Sequence, residues 1–134
     1  MLIPSEQIKT TEVLTWTGLH LLHFPMSSCS QKVRILLGEK NLPWTSHVID
    51  LRKKVQKSDW FLGINRNGVV PVLVHEGRVF NESNDILRYL DETFPSDGGS
   101  WFPESDAEQQ RAAELLRLEN DLHHDLRAGT FTWI

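Results

Sequence analysis

The chain has 134 residues, 40% of them hydrophobic, and a formal net charge of -4 at pH 7. This size and composition predict a folded globular protein with one complete domain and an appendage. The acidic charge argues against nucleic acid as a partner, because phosphate binding needs a clustered excess of lysine and arginine.

Membrane association and disulfide bonding are not expected either. No apolar run approaches the roughly 18 residues that span a bilayer. Cys29 is the only cysteine, which excludes an intramolecular disulfide and favours a reducing, cytoplasmic location. Charged side chains interrupt residues 1–18, so this segment is predicted to be a flexible or loosely docked extension rather than a signal peptide.

A strand, a helix and a second strand are predicted over residues 19–51. Residues 19–24 form a short apolar run that ends at Pro25, and a serine cluster suited to a helix start follows. The helix should reach about residue 41, and residues 44–51 alternate well enough for the second strand. Because a helix connects the two strands, they should be parallel.

An irregular helix, a hairpin and a regular helix follow. The irregular helix is predicted over residues 52–64, and residues 65–68 form a turn. The strands at residues 69–75 and 78–80 are joined tightly at Glu76-Gly77 and should be antiparallel. The regular helix opens at Ser83 and is stopped by Pro95.

The remaining residues are predicted to begin a second domain. Residues 96–106 form a linker, and residues 107–134 contain the first helix of a truncated all-α domain. Its leucines share one side of that helix. They are Leu115, Leu118, Leu122 and Leu126. This side must be covered by the first domain, by another chain or by a continuation of the natural protein.

The order of elements predicts an α/β fold over residues 19–95. A mixed four-stranded sheet with helices on both faces satisfies the layer rules and matches the thioredoxin-like arrangement.

Three segments carry a resemblance to a known family. They are Ser27-Ser28-Cys29-Ser30-Gln31-Lys32-Val33-Arg34, Asn65-Arg66-Asn67-Gly68-Val69-Val70-Pro71-Val72-Leu73, and Glu82-Ser83-Asn84-Asp85-Ile86 with Tyr89-Leu90-Asp91. Together they resemble the N-terminal, glutathione-binding domain of cytosolic glutathione transferases, in that family's order and spacing. The serine-rich segment is similar to the zeta class, whereas residues 57–61 and 68–73 are similar to the omega class and to lignin β-etherases, so the class stays open.

The resemblance implies that the Ser27 hydroxyl donates a hydrogen bond to the sulfur of glutathione, at a helix start that also includes Ser28. A thiol of pKa about 8.5 is mostly protonated at neutral pH, and the thiolate is the nucleophile. Lowering that pKa by about two units requires roughly 2.7 kcal/mol, which a hydroxyl and a helix N-terminus can supply. The alternative is that Ser27 and Ser28 only cap the helix.

Cys29 lies on the apolar side of the same helix, which favours a buried structural cysteine. Two alternatives remain open, an accessory role at the sulfur site and a role as the primary nucleophile. In omega-class members the active cysteine aligns with Ser27, so this chain departs from the omega pattern.

The resemblance also implies how the rest of glutathione is held. Val70 precedes a cis Pro71, and its backbone pairs with the cysteinyl backbone of the tripeptide. Glu82 and Ser83 bind the γ-glutamyl end, and Lys57 approaches the glycine end. The alternatives are structural roles without ligand binding: a trans proline at a strand start, a helix cap at Ser83, and solvated side chains at Glu82 and Lys57.

Two positions depart from the family pattern. Arg66 replaces a frequent proline, and Val69 replaces a lysine or glutamine that is common before the Val-Pro pair. The second change removes a polar side chain near the tripeptide, so a lower glutathione affinity than typical is expected.

No metal site is expected. The adjacent His123 and His124 point about 100° apart on a helix and cannot easily face one ion. The other histidines lack ligand-like clustering in the sequence. They are His20, His23, His47 and His75.

By resemblance, the expected function is an enzyme that activates glutathione, its co-substrate, for conjugation, isomerisation or ether cleavage of a small apolar electrophile. A homodimer is expected on the same ground. The alternatives are a non-catalytic transferase-like binding domain and a Cys29-dependent thioltransferase, which the absence of a Cys-x-x-Cys motif disfavours. The sequence does not specify the electrophile.

Overall fold

The computed structural model describes residues 1–95, 110–111, 113–115, 117–119 and 121–122. The chain divides into two compact units, Met1–Leu87 and Arg88–Ile134. The predicted linker at residues 96–106 and the ends of the predicted second-domain helix, including Leu126, lie outside the described residues.

The regular elements of residues 1–95 are strands, α-helices and short 3₁₀ segments. The strands are β1 Leu2–Ile3, β2 Leu19–His23, β3 Thr45–Val48, β4 Val72–His75 and β5 Arg78–Phe80. The helices are α1 Ser28–Glu39, α2 Asp59–Leu62 and α3 Ser83–Thr93. Single 3₁₀ turns lie at Ser5–Gln7, Thr11–Thr15 and Val55–Lys57.

The five strands form one mixed sheet in the order β1-β5-β4-β2-β3. Strands β2 and β3 are parallel, and the other neighbours are antiparallel. The mixed, thioredoxin-like sheet is confirmed, but the expectation of four strands is wrong. Strand β1 adds a fifth because Leu2 and Ile3 pair with Phe80 and Val79 at the edge.

The N-terminal segment is built into the domain, so the expectation of a flexible or loosely docked extension is wrong. Ile8 and Val13 are buried in the main hydrophobic cluster. The N–H groups of Lys9 and Thr10 both donate to the Gly63 carbonyl, at 2.7 and 3.2 Å. The apolar residues of this segment follow neither the helical nor the strand period, and periodicity therefore could not reveal their burial.

The hydrophobic cluster lies on one face of the sheet. Leu22 of β2 pairs with Val72 of β4, and Val74 of β4 pairs with Val79 of β5, so these side chains share that face. The N-terminal segment and Phe61 of α2 cover it. The remaining members of the cluster are Phe24, Ile49, Ile64 and Val70.

The middle of the chain is as irregular as predicted, with a 3₁₀ turn followed by the short helix α2. The predicted start of the next strand is three residues early, since β4 begins at Val72 rather than at residue 69. Residues 69–71 therefore precede the sheet ladder, which matters for the site described below.

In the second unit, the described residues between 110 and 122 have helical backbone. Leu115, Leu118 and Leu122 are exposed. None of the helices that the structure describes is long and apolar enough to cross a bilayer.

Candidate functional site

The sheet register brings three loops to one end of the first unit. Leu22 near the end of β2 pairs with Val72 at the start of β4, and Leu73 of β4 pairs with Phe80 at the end of β5. The loop before α1, the residues before β4 and the residues after β5 therefore leave the sheet at the same edge, which is formed by the ends of the strands and not by an outer strand. These loops contain most of the site residues that the sequence predicts.

Ser27 caps α1. Its backbone is extended, with φ -76° and ψ 118°, and its Oγ accepts a hydrogen bond from the Ser30 N–H at 3.2 Å. This bond uses an oxygen lone pair, so the hydroxyl hydrogen is still available to an acceptor. Ser27 is 9% exposed. The helix cap and the donor hydrogen are thus compatible within one side chain.

The two residues after Ser27 differ in accessibility. Ser28 is exposed at the first position of α1, whereas Cys29 is only 8% exposed. The burial expected for Cys29 is confirmed. A thiol buried in the apolar side of a helix is poorly placed to act as a primary nucleophile.

Arg34 fixes the loop that leads into Ser27. Its guanidinium donates to the Phe24 carbonyl at 3.3 Å and to the Pro25 carbonyl at 2.9 Å. It also lies 3.0 Å from Nδ1 of His23. This role of Arg34 was not predicted; the signal for it was its position seven residues after Ser27, two helical turns along the same side.

His23 and Ser46 approach each other like a catalytic pair, with Nε2 and Oγ 2.6 Å apart. Arg34 can only donate, so Nδ1 of His23 must accept. In neutral His23 the proton is then on Nε2, which donates to Ser46 and cannot deprotonate it. Burial lowers the pKa of His23, and the charge of Arg34 lowers it further. The pair therefore lacks a general base and is structural.

Val70 presents its main chain at the candidate site. The Val70-Pro71 peptide bond is cis, as the resemblance implied. Val70 is 6% exposed and precedes the ladder that begins at Val72. Within the described part of the chain, its N–H and C=O are bonded to no other group.

A buried asparagine holds the turn before Val70. Asn65 is 1% exposed. Its Nδ2 donates to the Val69 carbonyl at 3.0 Å, and its Oδ1 accepts from the Asn67 N–H at 3.2 Å. The same Oδ1 accepts from Nδ2 of Asn81 at 3.4 Å. The turn before β4 is thereby linked to the residues after β5.

Glu82 and Ser83 follow Asn81 at the start of α3. Glu82 has φ 65° and is exposed, and its carbonyl accepts the Ile86 N–H at 3.0 Å. Glu82 therefore occupies the N-cap position of α3, so the alternative that Ser83 is the helix cap is wrong. Ser83 is buried at the first helical position, where its N–H has no intrahelical carbonyl to bond.

The starts of α1 and α3 are tied together. Lys32, in the second turn of α1, donates from Nζ to Oδ1 of Asn84 at 2.8 Å. Neither this link nor the roles of the two buried asparagines, Asn65 and Asn81, were predicted. A buried side-chain amide has no periodic signature, although Asn65 ahead of Asn67-Gly68 is a turn signal.

Lys57 lies beside the turn that leads to Val70. Its Nζ is 3.9 Å from the point where a Cβ on Gly68 would lie, and Gly68 has φ 65°. Lys57 is exposed. The edge formed by these strand ends is thus bordered by Ser27, Val70 and Ser83. Lys57 lies next to the turn at Gly68, beside this edge.

Two of the histidines lie close together in the structure. His20 and His47 lie on adjacent strands, and their rings are in contact, with Nδ1 and Nε2 2.9 Å apart. No group of three or more histidine, cysteine or acidic side chains able to hold a metal occurs among the described residues.

A family model for the N-terminal domain of glutathione S-transferase matches residues 26–93, just over half of the chain. Protein LigF of Sphingobium sp. is 41% identical over 85 residues, which cover 63% of this chain and 33% of LigF. Glutathione S-transferase Z1 of Arabidopsis thaliana is 40% identical over 77 residues, which cover 58% of this chain and 35% of the relative.

Solved structures agree with these sequence matches. Human glutathione transferase theta-2, in complex with glutathione, superposes with a TM-score of 0.71 and 31% identity, over 78% of this chain and 42% of that one. The chain therefore spans only about a third to two fifths of these relatives. The matched region contains the three loops described above. The chain belongs to the cytosolic glutathione transferase superfamily and contains the N-terminal domain found in its members.

Proposed function

We propose that this domain binds glutathione at the shared edge of β2, β4 and β5 and stabilises its thiolate through Ser27, as part of a glutathione transferase. The observation that carries the proposal is the state of the Ser27 hydroxyl. It accepts the Ser30 N–H and keeps its own hydrogen, on the same edge of the sheet as the unpaired main chain of Val70.

Two effects favour the thiolate at Ser27. The hydroxyl hydrogen is a charge-assisted donor to an anion, and the N-terminus of the twelve-residue helix α1 adds partial positive charge. Together they can supply the roughly 2.7 kcal/mol that lowers a thiol pKa by about two units. Arg34 supports this arrangement because it holds the two carbonyls just before Ser27.

The peptide backbone of glutathione is proposed to pair with Val70 as an added strand. A short extended peptide that meets an unpaired N–H and C=O gains main-chain hydrogen bonds at little cost in reorganisation. The Asn65 network fixes the carbonyl of the neighbouring Val69, so the Val70 backbone is held before the ligand arrives.

The charged ends of glutathione are proposed to bind on either side. Ser83, at the N-terminus of α3, suits the γ-glutamyl carboxylate, and the Glu82 carboxylate suits the neighbouring ammonium group. Lys57, beside the turn at Gly68, suits the glycine carboxylate.

The proposed reaction is attack of the thiolate on a small apolar electrophile, by conjugation, isomerisation or ether cleavage. The similar structure of LigF is described as a β-etherase, which makes ether cleavage a specific candidate. The proposal includes a homodimer.

The decisive experiment measures the pKa of bound glutathione by ultraviolet thiolate absorbance. The wild-type domain should lower that pKa by about two units from about 8.5. Ser27→Ala should return it most of the way, and Ser27→Thr, which keeps a hydroxyl and a cap, should preserve most of the shift. Ser28→Ala, a matched loss of an exposed hydroxyl, should leave the pKa unchanged.

Two other outcomes would redirect the assignment. If Cys29→Ser abolishes activity and Ser27→Ala does not, the protein is a thioltransferase, although the burial of Cys29 argues against this. If glutathione binds with no change in its pKa, the domain is a non-catalytic binding module.

A further inference from the structure

A cluster of three aromatic side chains lies at the β3 edge of the sheet. Trp16 stacks on His20 and on His47, with ring centroids 4.7 and 4.5 Å apart and interplanar angles of 27° and 7°. The two imidazoles meet edge to edge, with Nδ1 of His20 2.9 Å from Nε2 of His47. The proposed glutathione site uses none of these residues.

The tautomers of the two histidines follow from their partners. Nε2 of His20 lies 2.8 Å from the carbonyl oxygen of Thr17. A carbonyl only accepts, so this nitrogen carries a proton, and Nδ1 of neutral His20 presents a lone pair. His47 must then donate its Nε2 proton to that lone pair.

The arrangement matches half of a metal coordination sphere. The 2.9 Å separation is that of a hydrogen bond. It is also the separation of two neighbouring nitrogens that each lie about 2.05 Å from one square-planar cation. A carbonyl that accepts the distal N–H of a ligating histidine is the usual second partner in metal sites, and Thr17 already provides it for His20.

We infer that His20 and His47 form a two-histidine site for a divalent transition-metal cation, with Cu²⁺ bound more tightly than Ni²⁺ or Zn²⁺. Imidazole nitrogen suits these cations, and Cu²⁺ stands highest in the general affinity order. Both rings are only partly buried, and β3 is an edge strand. Water can therefore complete the coordination sphere.

Binding requires only a local rearrangement. The rings tilt so that their lone pairs converge on the cation, and the His47 proton moves from Nε2 to Nδ1, so no proton is released.

The test is a titration of the whole 134-residue chain with Cu²⁺, followed by calorimetry and by tryptophan fluorescence. One equivalent should bind and quench Trp16, which contacts both proposed ligands. His20→Gln and His47→Gln should each weaken binding at least about tenfold. Trp16→Phe should remove most of the quenching and leave the calorimetric affinity within about threefold.

Two matched controls exclude other histidines. His75→Gln removes a half-buried histidine from β4 of the same sheet, and the double change His123→Gln with His124→Gln removes the adjacent pair. Neither should alter the affinity. Equal affinity in wild type, His20→Gln and His47→Gln, or loss of binding in either control, would overturn the inference.

A measurement on the unaltered protein guards against variants that fail to fold. Electron paramagnetic resonance of the Cu²⁺ adduct should show hyperfine coupling to two imidazole nitrogens. Coupling dominated by amine or main-chain amide nitrogen would place the cation elsewhere and contradict the inference.

Discussion

Ser27 caps a helix, and the same side chain is proposed to stabilise a thiolate. Its oxygen accepts the Ser30 N–H and so satisfies a free donor of the first helical turn. The hydrogen of the same hydroxyl remains for the proposed thiolate. Cap and catalyst are therefore not competing interpretations, and loss of the side chain should affect both stability and thiol chemistry.

The histidines predict a specific pH dependence of stability. Burial lowers the pKa of both His23 and His47 below 6.5, their usual value. Each is then protonated more readily in the unfolded chain than in the folded one. The free energy of unfolding should be flat above about pH 6.5, and it should fall as the pH is lowered further until the folded-state pKa is passed.

Urea unfolding between about pH 7.5 and about pH 5 checks this prediction. His47→Gln should reduce the slope below about pH 6.5, because one of the titrating groups is lost. A stability that rises as the pH falls through this range would contradict the assigned protonation states.

The turn before β4 is the element on which the proposed site depends most. Asn65 bonds to the backbone on both sides of the turn and to Asn81 after β5. A single buried amide therefore fixes the turn and links it to the residues after β5, and Val70 is positioned as a result.

Asn65→Ala should lower the free energy of unfolding by about 2–3 kcal/mol, because it leaves buried polar partners unsatisfied. Asn67→Ala removes an exposed amide from the same turn and should cost less than about 0.5 kcal/mol. Denaturant unfolding measures both values. Similar losses in the two variants would mean that the buried network does not stabilise the turn.

Structural features with a periodic or local sequence pattern could be predicted, whereas contacts between distant residues could not. The apolar run of β2, the helical spacing around Val33 and the hairpin at Glu76-Gly77 were enough to predict β2, β4, β5 and α1, whereas β1 was missed. The residue types at Ser27, Val70 and Ser83 marked the site segments. The Arg34, Asn65 and His20 contacts depend on strand register and loop path, which no local pattern contains.

The N-terminal segment is integral to the first unit. Thr10 donates from its hydroxyl to the Trp60 carbonyl at 2.6 Å, and the Trp60 indole donates to Glu12. Val13 is fully buried. The segment thus packs against α2 and the sheet, and the unit Met1–Leu87 is a continuous structure.

A glycine pair tests this packing. A Cβ on Gly77 would lie 2.3 Å from the Leu14 carbonyl oxygen, and Gly77 has φ 76°. Gly77→Ala should therefore destabilise the domain by at least about 2 kcal/mol. At Gly38 an added Cβ meets nothing within 4 Å, and Gly38→Ala in α1 should instead stabilise it by up to about 1 kcal/mol.

Thermal or urea unfolding distinguishes the two changes. If Gly77→Ala is as stable as the wild type, the N-terminal segment does not pack over the hairpin in solution as described.

A nuclear magnetic resonance titration of the labelled chain with glutathione locates the bound tripeptide residue by residue. The largest amide shifts should fall on Ser27, Val70 and Ser83 and their immediate neighbours, at one edge of the sheet. Shifts confined to other residues, or no shifts at saturating glutathione, would contradict the proposed glutathione site.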